Sequence, residues 1–288
     1  MATLNPGAAA HKALAPRAAL LGGYAVLALG AVIMLLPFYY MLVFASHANT
    51  EILSLPPPSW FGQHLLANVQ DLIERRPHFW TSIGISLWIA TATAALNLFF
   101  CSLAGYAFTM YDFPGKEKLF AAILATMLMP GFVSMIPTIL LMQSLGWIDT
   151  MRALIVPGAC GALGVFMMRQ YMGSAIPREL VEAARMDGCG EFGIYWRVVL
   201  PLLGPAMGTL GLITFIGSYN NFVGALLVLR DQGSYTVPLV LRSLQGTSGV
   251  TVGALSAGAA ITVLPLLVLF VFYSRKLIAG LTAGAVKG

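Results

Sequence analysis

The sequence predicts an all-α integral membrane protein with six transmembrane helices and both ends on the cytoplasmic side. Composition, uncharged windows and the distribution of basic residues each point there. Hydrophobic residues make up 58% of the chain and Asp, Glu, Lys and Arg only 9%, against about 45–50% and about 25% in soluble domains. Such a chain cannot cover itself with a solvated surface. Windows free of those four residues run over 18–50, 77–111, 119–148, 153–168, 198–229 and 243–274. All but the fourth exceed the ~20 residues that cross a ~30 Å hydrocarbon layer. The fourth spans it from Met151 to Met172 if Arg152 and Arg169 extend toward the headgroups. With the N-terminus inside, eleven of the 16 Lys and Arg residues face the cytoplasm and five face out, which supports that orientation.

Taken in order, residues 1–18 form a cytoplasmic tail and 19–275 a transmembrane domain. The first span, 19–45, is far longer than a signal-peptide core and has no small-residue cleavage site after it, so it is expected to be retained. The outside loop 46–80 is stiffened by Pro56-Pro57-Pro58. Trp60, Phe61 and Trp80 suit a membrane interface, and Leu65 to Arg76 reads as a short surface helix. The next spans are 81–110, 119–143 and 151–173, followed by a cytoplasmic loop at 174–198, spans 199–226 and 252–274, and a tail at 276–288. Pro37, Pro130, Pro137, Pro157, Pro201, Pro205 and Pro265 all fall in or beside spans. Prolines there bend or break helices where neighbouring groups can satisfy the freed backbone.

The loop carries the chain's longest charged segment. Arg178, Glu179, Glu182, Arg185, Asp187, Glu191 and Arg197 lie between Pro177 and Pro205. Pro177 favours a helix start and Gly188 a left-handed stop, which leaves about three turns between them. At 100° per residue, Arg178, Glu182 and Arg185 share one face and Leu180, Ala183 and Ala184 the other, so Glu182 is expected to pair with both arginines. A charged helix–Gly–helix element between two spans reads as a docking surface.

Glu182-Ala183-Ala184, Gly188, Val198 and Leu200-Pro201 resemble, at their spacing, the EAA loop of ABC-importer permeases, with Val198 where that family usually has Ile. The resemblance extends over nearly the whole chain and narrows to carbohydrate permeases of the maltose type. Thr50-Glu51-Ile52, Gly105-Tyr106-Ala107-Phe108 with Gly115, Tyr219-Asn220-Asn221-Phe222 and the ending from Ala279 to Gly288 carry it. Thr81-Ser82 departs from the usual Asn-Ser.

The resemblance implies an ABC type I importer permease fold in a bacterial or archaeal inner membrane. It also implies a coupling helix in which Arg178, Glu182, Ala183, Ala184, Arg185, Asp187, Gly188, Leu200 and Pro201 meet an ATPase. The implied partners are a second permease subunit forming a heterodimer, two copies of a cytoplasmic ATPase that binds ATP and Mg, and an extracytoplasmic sugar-binding protein. Gly284, Lys287 and Gly288 of the tail would reach into the ATPase pair.

The residues themselves limit the chemistry. Gly115-Lys116 is followed by Glu117 and lacks the upstream glycine of a phosphate-binding loop, so the chain has no cofactor site of its own. No catalytic set is visible, and the spans hold essentially no Asp or Glu, which disfavours a proton-coupled carrier. Cys101, Cys160 and Cys189 share no ligand spacing, nor do the four histidines or Met127, Met129, Met135 and Met142, so no metal is assigned. The sequence pI of 9.2 reflects dispersed loop charges rather than a nucleic-acid surface.

For a translocation path the candidates are Tyr219, Asn220, Asn221 and Gln143, with Ser218 and Ser256 behind them. Asn, Gln and Tyr offer the neutral donors, acceptors and ring faces that sugars require. For Tyr219 to Asn221, bonding between helices explains the residues equally well. For Asn97 such bonding is preferred. The alternatives are a permease for another solute, such as glycerol phosphate, or a free-standing channel or secondary carrier.

Overall fold

Long apolar stretches become long helices even where a single proline falls within them, and the breaks come where Pro and Gly cluster. The computed structural model describes residues 17–245 and 249–285, and among these it holds helices and no strand. Helix α1 (Arg17–Ala45) leads through the short α2 (Asn49–Ile52) and α3 (Leu65–Arg75) to α4 (Phe79–Met110). Then come α5 (Lys116–Thr126), α6 (Gly131–Ser144), α7 (Arg152–Ile155), α8 (Ala162–Ala175) and α9 (Arg178–Met186). The chain continues through α10 (Glu191–Leu202), α11 (Gly204–Tyr219), α12 (Phe222–Val228), α13 (Val237–Gln245) and α14 (Val252–Ala285).

Three helices, α1, α4 and α14, are long and apolar enough to cross a membrane, and two further candidate spans are bent pairs. The expected span 119–143 is α5 and α6, which meet at 98° across a break that ends at Pro130. The expected span beginning at 199 bends by 82° between α10 and α11, then breaks again at Asn220-Asn221. The expected span 151–173 is interrupted at 156–161, where Pro157, Gly158 and Gly161 fall together. At 1.5 Å per residue, α8 alone is ~21 Å long, short of a full crossing. Pro37 and Pro265, by contrast, lie inside continuous helices. The tail expected from 276 is helical as far as Ala285, so Gly284 sits in α14, while Lys287 and Gly288 lie outside the described residues.

The central helix is α4, which packs on α11 along one side and on α8 along the other, while α14 packs against α1, α3 and α11. Small residues set the α4–α8 spacing. A Cβ on Gly105 would lie 2.6 Å from Met168 Cβ, and one on Gly164 2.5 Å from Cys101 Sγ. Within apolar surroundings, such close backbones are held by van der Waals packing and a few polar bonds. Asn97 supplies two of these, donating to the Gly158 carbonyl at 2.9 Å and accepting from Thr214 Oγ1 at 3.3 Å. Cys101 and Cys160 are free thiols with their sulfurs 4.0 Å apart.

Candidate functional site: the loop helix and the membrane cavity

Helix α9 folds as its local sequence dictates. Pro177 occupies the N-cap, and the helix ends in a Schellman turn. The Cys189 N–H donates to the Ala184 carbonyl at 3.1 Å and the Gly188 N–H to Arg185 at 3.0 Å, with Gly188 left-handed at φ +79°. Val181 and Ala184 are buried in a core built from α4, α8, α10 and α11, together with Tyr106, Met172, Ile194 and Tyr195. The other faces of the loop are open. Leu180 (42%), Met186 (88%), Phe192 (63%) and Trp196 (52%) are exposed, and so are Glu182, Ala183 and Asp187. Of the face formed by Leu180, Ala183 and Ala184, only Ala184 is turned inward, because the inward stripe runs through 181 and 184.

The arginines also depart from expectation. Arg178 donates to the Thr109 carbonyl at 3.1 Å and lies 3.5 Å from Asp112, and Arg185 clasps Glu191 through Nε at 2.7 Å and Nη2 at 3.3 Å. Glu182 thus has no partner among the described residues. The carboxylate of Glu191 also accepts from Tyr111 (2.5 Å) and Tyr106 (3.0 Å) at the end of α4. Arg185 first, then the Tyr111 hydroxyl, hold its pKa down to about 2. Lys116 and then Arg178 likewise lower that of Asp112.

Beyond Arg197, the Leu200 N–H bonds to the Tyr195 carbonyl five residues back, a π turn over Tyr195–Val199 just before Pro201. Pro201 has no N–H to give the Arg197 carbonyl. Its widened turn lets the buried Tyr195 hydroxyl meet Ser102 of α4 at 2.8 Å.

The second feature is a cavity of about 530 Å³ between α4, α6, α7 with the break that follows it, α11 and α12. Its polar lining is Thr93, Ser134, Thr138, Thr214, Ser218 and Asn221, beside the Phe132 ring, and no Lys, Arg, His, Asp or Glu lines it. Ser134 and Thr138 donate to carbonyls of their own helix at 2.9 and 2.7 Å. Those two oxygens therefore keep acceptor lone pairs free.

Of the four residues expected here, Asn221 lines the cavity and also caps α12, accepting from the Gly224 N–H at 2.9 Å. Asn220 and Gln143 are exposed outside it. Tyr219 is a correction. It is buried, stacked on Phe215, and donates to the Thr262 carbonyl of α14 at 3.0 Å, so it ties helices together. Ser218, placed behind those four, does line the cavity, while Thr93, Ser134, Thr138 and Thr214 were missed. The sequence carries a signal for most of them: Ser134/Thr138 and Thr214/Ser218 are i,i+4 pairs, and Asn221 lies three residues past Ser218 on that same side. Beside α12, Asp149 accepts from the N–H groups of Arg230 and Asp231 at 2.9 and 3.1 Å, bonds that lower its pKa.

The model for binding-protein-dependent transport system inner membrane components matches residues 100–278, from the last turns of α4 through α14. The chain belongs to that family. Its loop helix, the π turn and most of the cavity wall fall inside the matched region. This permease is 39% identical over 210 residues to the arabinooligosaccharides transport system permease protein AraQ of Halalkalibacterium halodurans, covering 73% of this chain and 75% of that one. It is 31% identical over 272 residues to the trehalose/maltose transport system permease protein MalG of Thermococcus litoralis, covering 90% and 93%. In fold the permease is similar to a chain from the crystal structure of a bacterial ABC transporter involved in the import of the acidic polysaccharide alginate. The TM-score is 0.79 over 91% of this chain and 97% of that one, at 22% identity. It therefore has the ABC importer permease fold.

Proposed function

We propose that this permease forms half of the path by which a neutral sugar or oligosaccharide, delivered by an extracytoplasmic binding protein, crosses the inner membrane. The observation that carries the solute class is the cavity wall, which offers hydroxyls, one amide and a ring but no charge. Sugar hydroxyls find acceptors there, whereas a phosphate would find no cation, which speaks against glycerol phosphate. Relatives named for arabinooligosaccharides and for trehalose and maltose support the same reading. The working assembly is this chain with a second permease subunit as a heterodimer and two copies of a cytoplasmic ATPase. Those ATPases bind ATP and Mg, and α9 docks into them through Glu182 and its apolar neighbours. Thr138→Val and Ser218→Ala remove hydroxyls with little change of shape. At about 1 kcal/mol per lost hydrogen bond, each is expected to raise the transport KM about fivefold in vesicles with the complex still assembled. An unchanged KM for both would remove the cavity from the path.

In this reading the chain has six spans, counting each bent or interrupted segment as one, with both termini inside. The structure gathers Arg169, Arg178 and Arg185 with the α4–α5 turn, and the Asp149–Arg230 contact lies elsewhere, beside α12. In a variant with Cys101, Cys160 and Cys189 replaced, Leu65→Cys is expected to react with an impermeant thiol reagent from outside and Lys118→Cys only from inside. The reverse pattern would invert the topology.

A further inference from the structure

Three helices meet at one carboxylate. Glu191, at the first turn of α10, holds Arg185 in the last turn of α9 by two nitrogen–oxygen contacts and accepts from the hydroxyls of Tyr106 and Tyr111 at the end of α4. The Arg185 guanidinium also lies 5.6 Å from the centre of the Tyr111 ring, and the Tyr106 ring packs against Tyr111 and Tyr195, both at 5.7 Å. A carboxylate with one guanidinium and two phenol donors has few other arrangements open to it, since each donor must point at one of its two oxygens. The group is ionised throughout the physiological range, its pKa lying at about 2. The bonds from Arg185, Tyr106 and Tyr111, rather than the charge alone, make the carboxylate a joint between α9, α10 and α4.

We propose that Glu191 is a positioning residue for coupling: it clamps the last turn of α9 onto the cytoplasmic end of α4, so that a displacement of α9 is delivered to α4. The proposal rests on reading α9 as the ATPase contact. What α4 does with the displacement follows from its continuity. It runs unbroken from Phe79 to Met110, and the Thr93 that lines the cavity lies thirteen residues before Tyr106, ~20 Å along the same helix axis. The neighbouring routes bend: α10 meets α11 at 82°, and α5 meets α6 at 98°. A straight helix carries a push along its axis, whereas a broken pair absorbs it at the break. The Arg178 contacts with Thr109 and Asp112 hold the first turn of α9 to the same end of α4, so the two ends of α9 are anchored together.

The test is solute taken up per ATP hydrolysed by the full complex in vesicles, alongside yield of the assembled complex and its thermal unfolding. Glu191→Gln keeps the size and a hydrogen-bond acceptor but loses the charge that holds Arg185. Tyr111→Phe leaves the Arg185 pair in place and removes one donor. The expected result is assembly at wild-type yield and unfolding temperature, with uptake per ATP lowered about tenfold by Glu191→Gln and about threefold by Tyr111→Phe. Adding Arg185→Gln to Glu191→Gln should lower the ratio no further, because the two act as one joint. A wild-type ratio in both single variants would overturn the proposal, as would a lowered yield of complex with an unchanged ratio, which would make the cluster purely structural. Glu182→Ala run in parallel separates the two readings. If it lowers the ratio while Glu191→Gln does not, the joint fails and α9 stands as the contact. If neither lowers the ratio and Glu182→Ala also binds the ATPase and takes up solute normally, the α9 reading itself fails.

Discussion

Glu182→Ala is expected to leave the permease folded and inserted while the ATPase binds roughly thirty-fold or more weakly and uptake falls with it. Within the chain the side chain does nothing for stability, since it is exposed and both arginines that its spacing offers are committed elsewhere, to Thr109, Asp112 and Glu191. Removing an exposed, unpaired carboxylate changes stability by less than about 0.5 kcal/mol. On a partner surface the balance changes. Leu180, Met186, Phe192 and Trp196 surround it with exposed apolar area, so docking would desolvate the carboxylate against whatever basic group meets it. Truncating one member of such a pair costs ~2–5 kcal/mol, and each ~1.4 kcal/mol is tenfold in affinity.

Gly188 provides the companion variant. With φ at +79° and nothing within 4 Å of an added Cβ, its substitution costs only backbone strain, ~1–2 kcal/mol for a β-branched residue. Gly188→Val should therefore displace the Schellman turn and the start of α10, and impair uptake. Gly188→Asn, which tolerates the left-handed region, should stay near wild type. Binding of the purified ATPase and uptake in vesicles measure both. Normal binding and uptake in Glu182→Ala and Gly188→Val together would sink α9 as the coupling element.

What the sequence made legible here is local. Pro177 and Gly188 bound α9 because a missing N–H and a missing Cβ act within one turn, and the structure places the cap and the left-handed residue there. The partners of Arg178 and Arg185 were not legible. Asp112 lies 66 residues from Arg178, a distance over which no periodicity speaks, and Glu191, though only six residues from Arg185, lies beyond the Gly188 turn, where the helical period of α9 has ended. Prolines 130, 157 and 201 announced breaks but not angles, since a bend of 98° or 82° is set by what the second half packs on. The cavity shows the same division. A run of adjacent polar residues, Tyr219 to Asn221, drew attention, yet adjacent residues on a helix point in different directions, and only Asn221 reaches the cavity. The hydroxyls at i,i+4 point together and were the better guide.

Gly105→Ala is expected to be among the most destabilising single-methyl changes in the chain, by ~1–3 kcal/mol. Its Cβ would lie 2.6 Å from Met168 Cβ, 3.0 Å from the Met168 carbonyl carbon and 3.1 Å from the Arg169 nitrogen. None of these atoms can swing aside, so α4 and α8 must separate. Gly164→Ala meets the same crossing differently: its neighbours are Cys101 Sγ at 2.5 Å, Cys101 Cβ at 3.1 Å and Asn97 Oδ1 at 3.2 Å, all side-chain atoms. Adding Cys101→Ala removes the worst contact and should recover much of the loss, whereas adding Met168→Ala to Gly105→Ala leaves the offending Cβ in place and should recover nothing. Thermal unfolding of the purified complex reads all four variants. The functional consequence follows from connectivity, because α8 carries Arg169, bound to Glu117 at 2.6 Å and lying over Phe120 at 3.8 Å, and runs directly into the turn before α9. Where Gly105→Ala complex still assembles, uptake per ATP should therefore fall along with stability, since α9 is displaced from its seat on α4. Wild-type stability in Gly105→Ala, or rescue by Met168→Ala and not by Cys101→Ala, would mean that the two helices do not cross as closely as these glycines require.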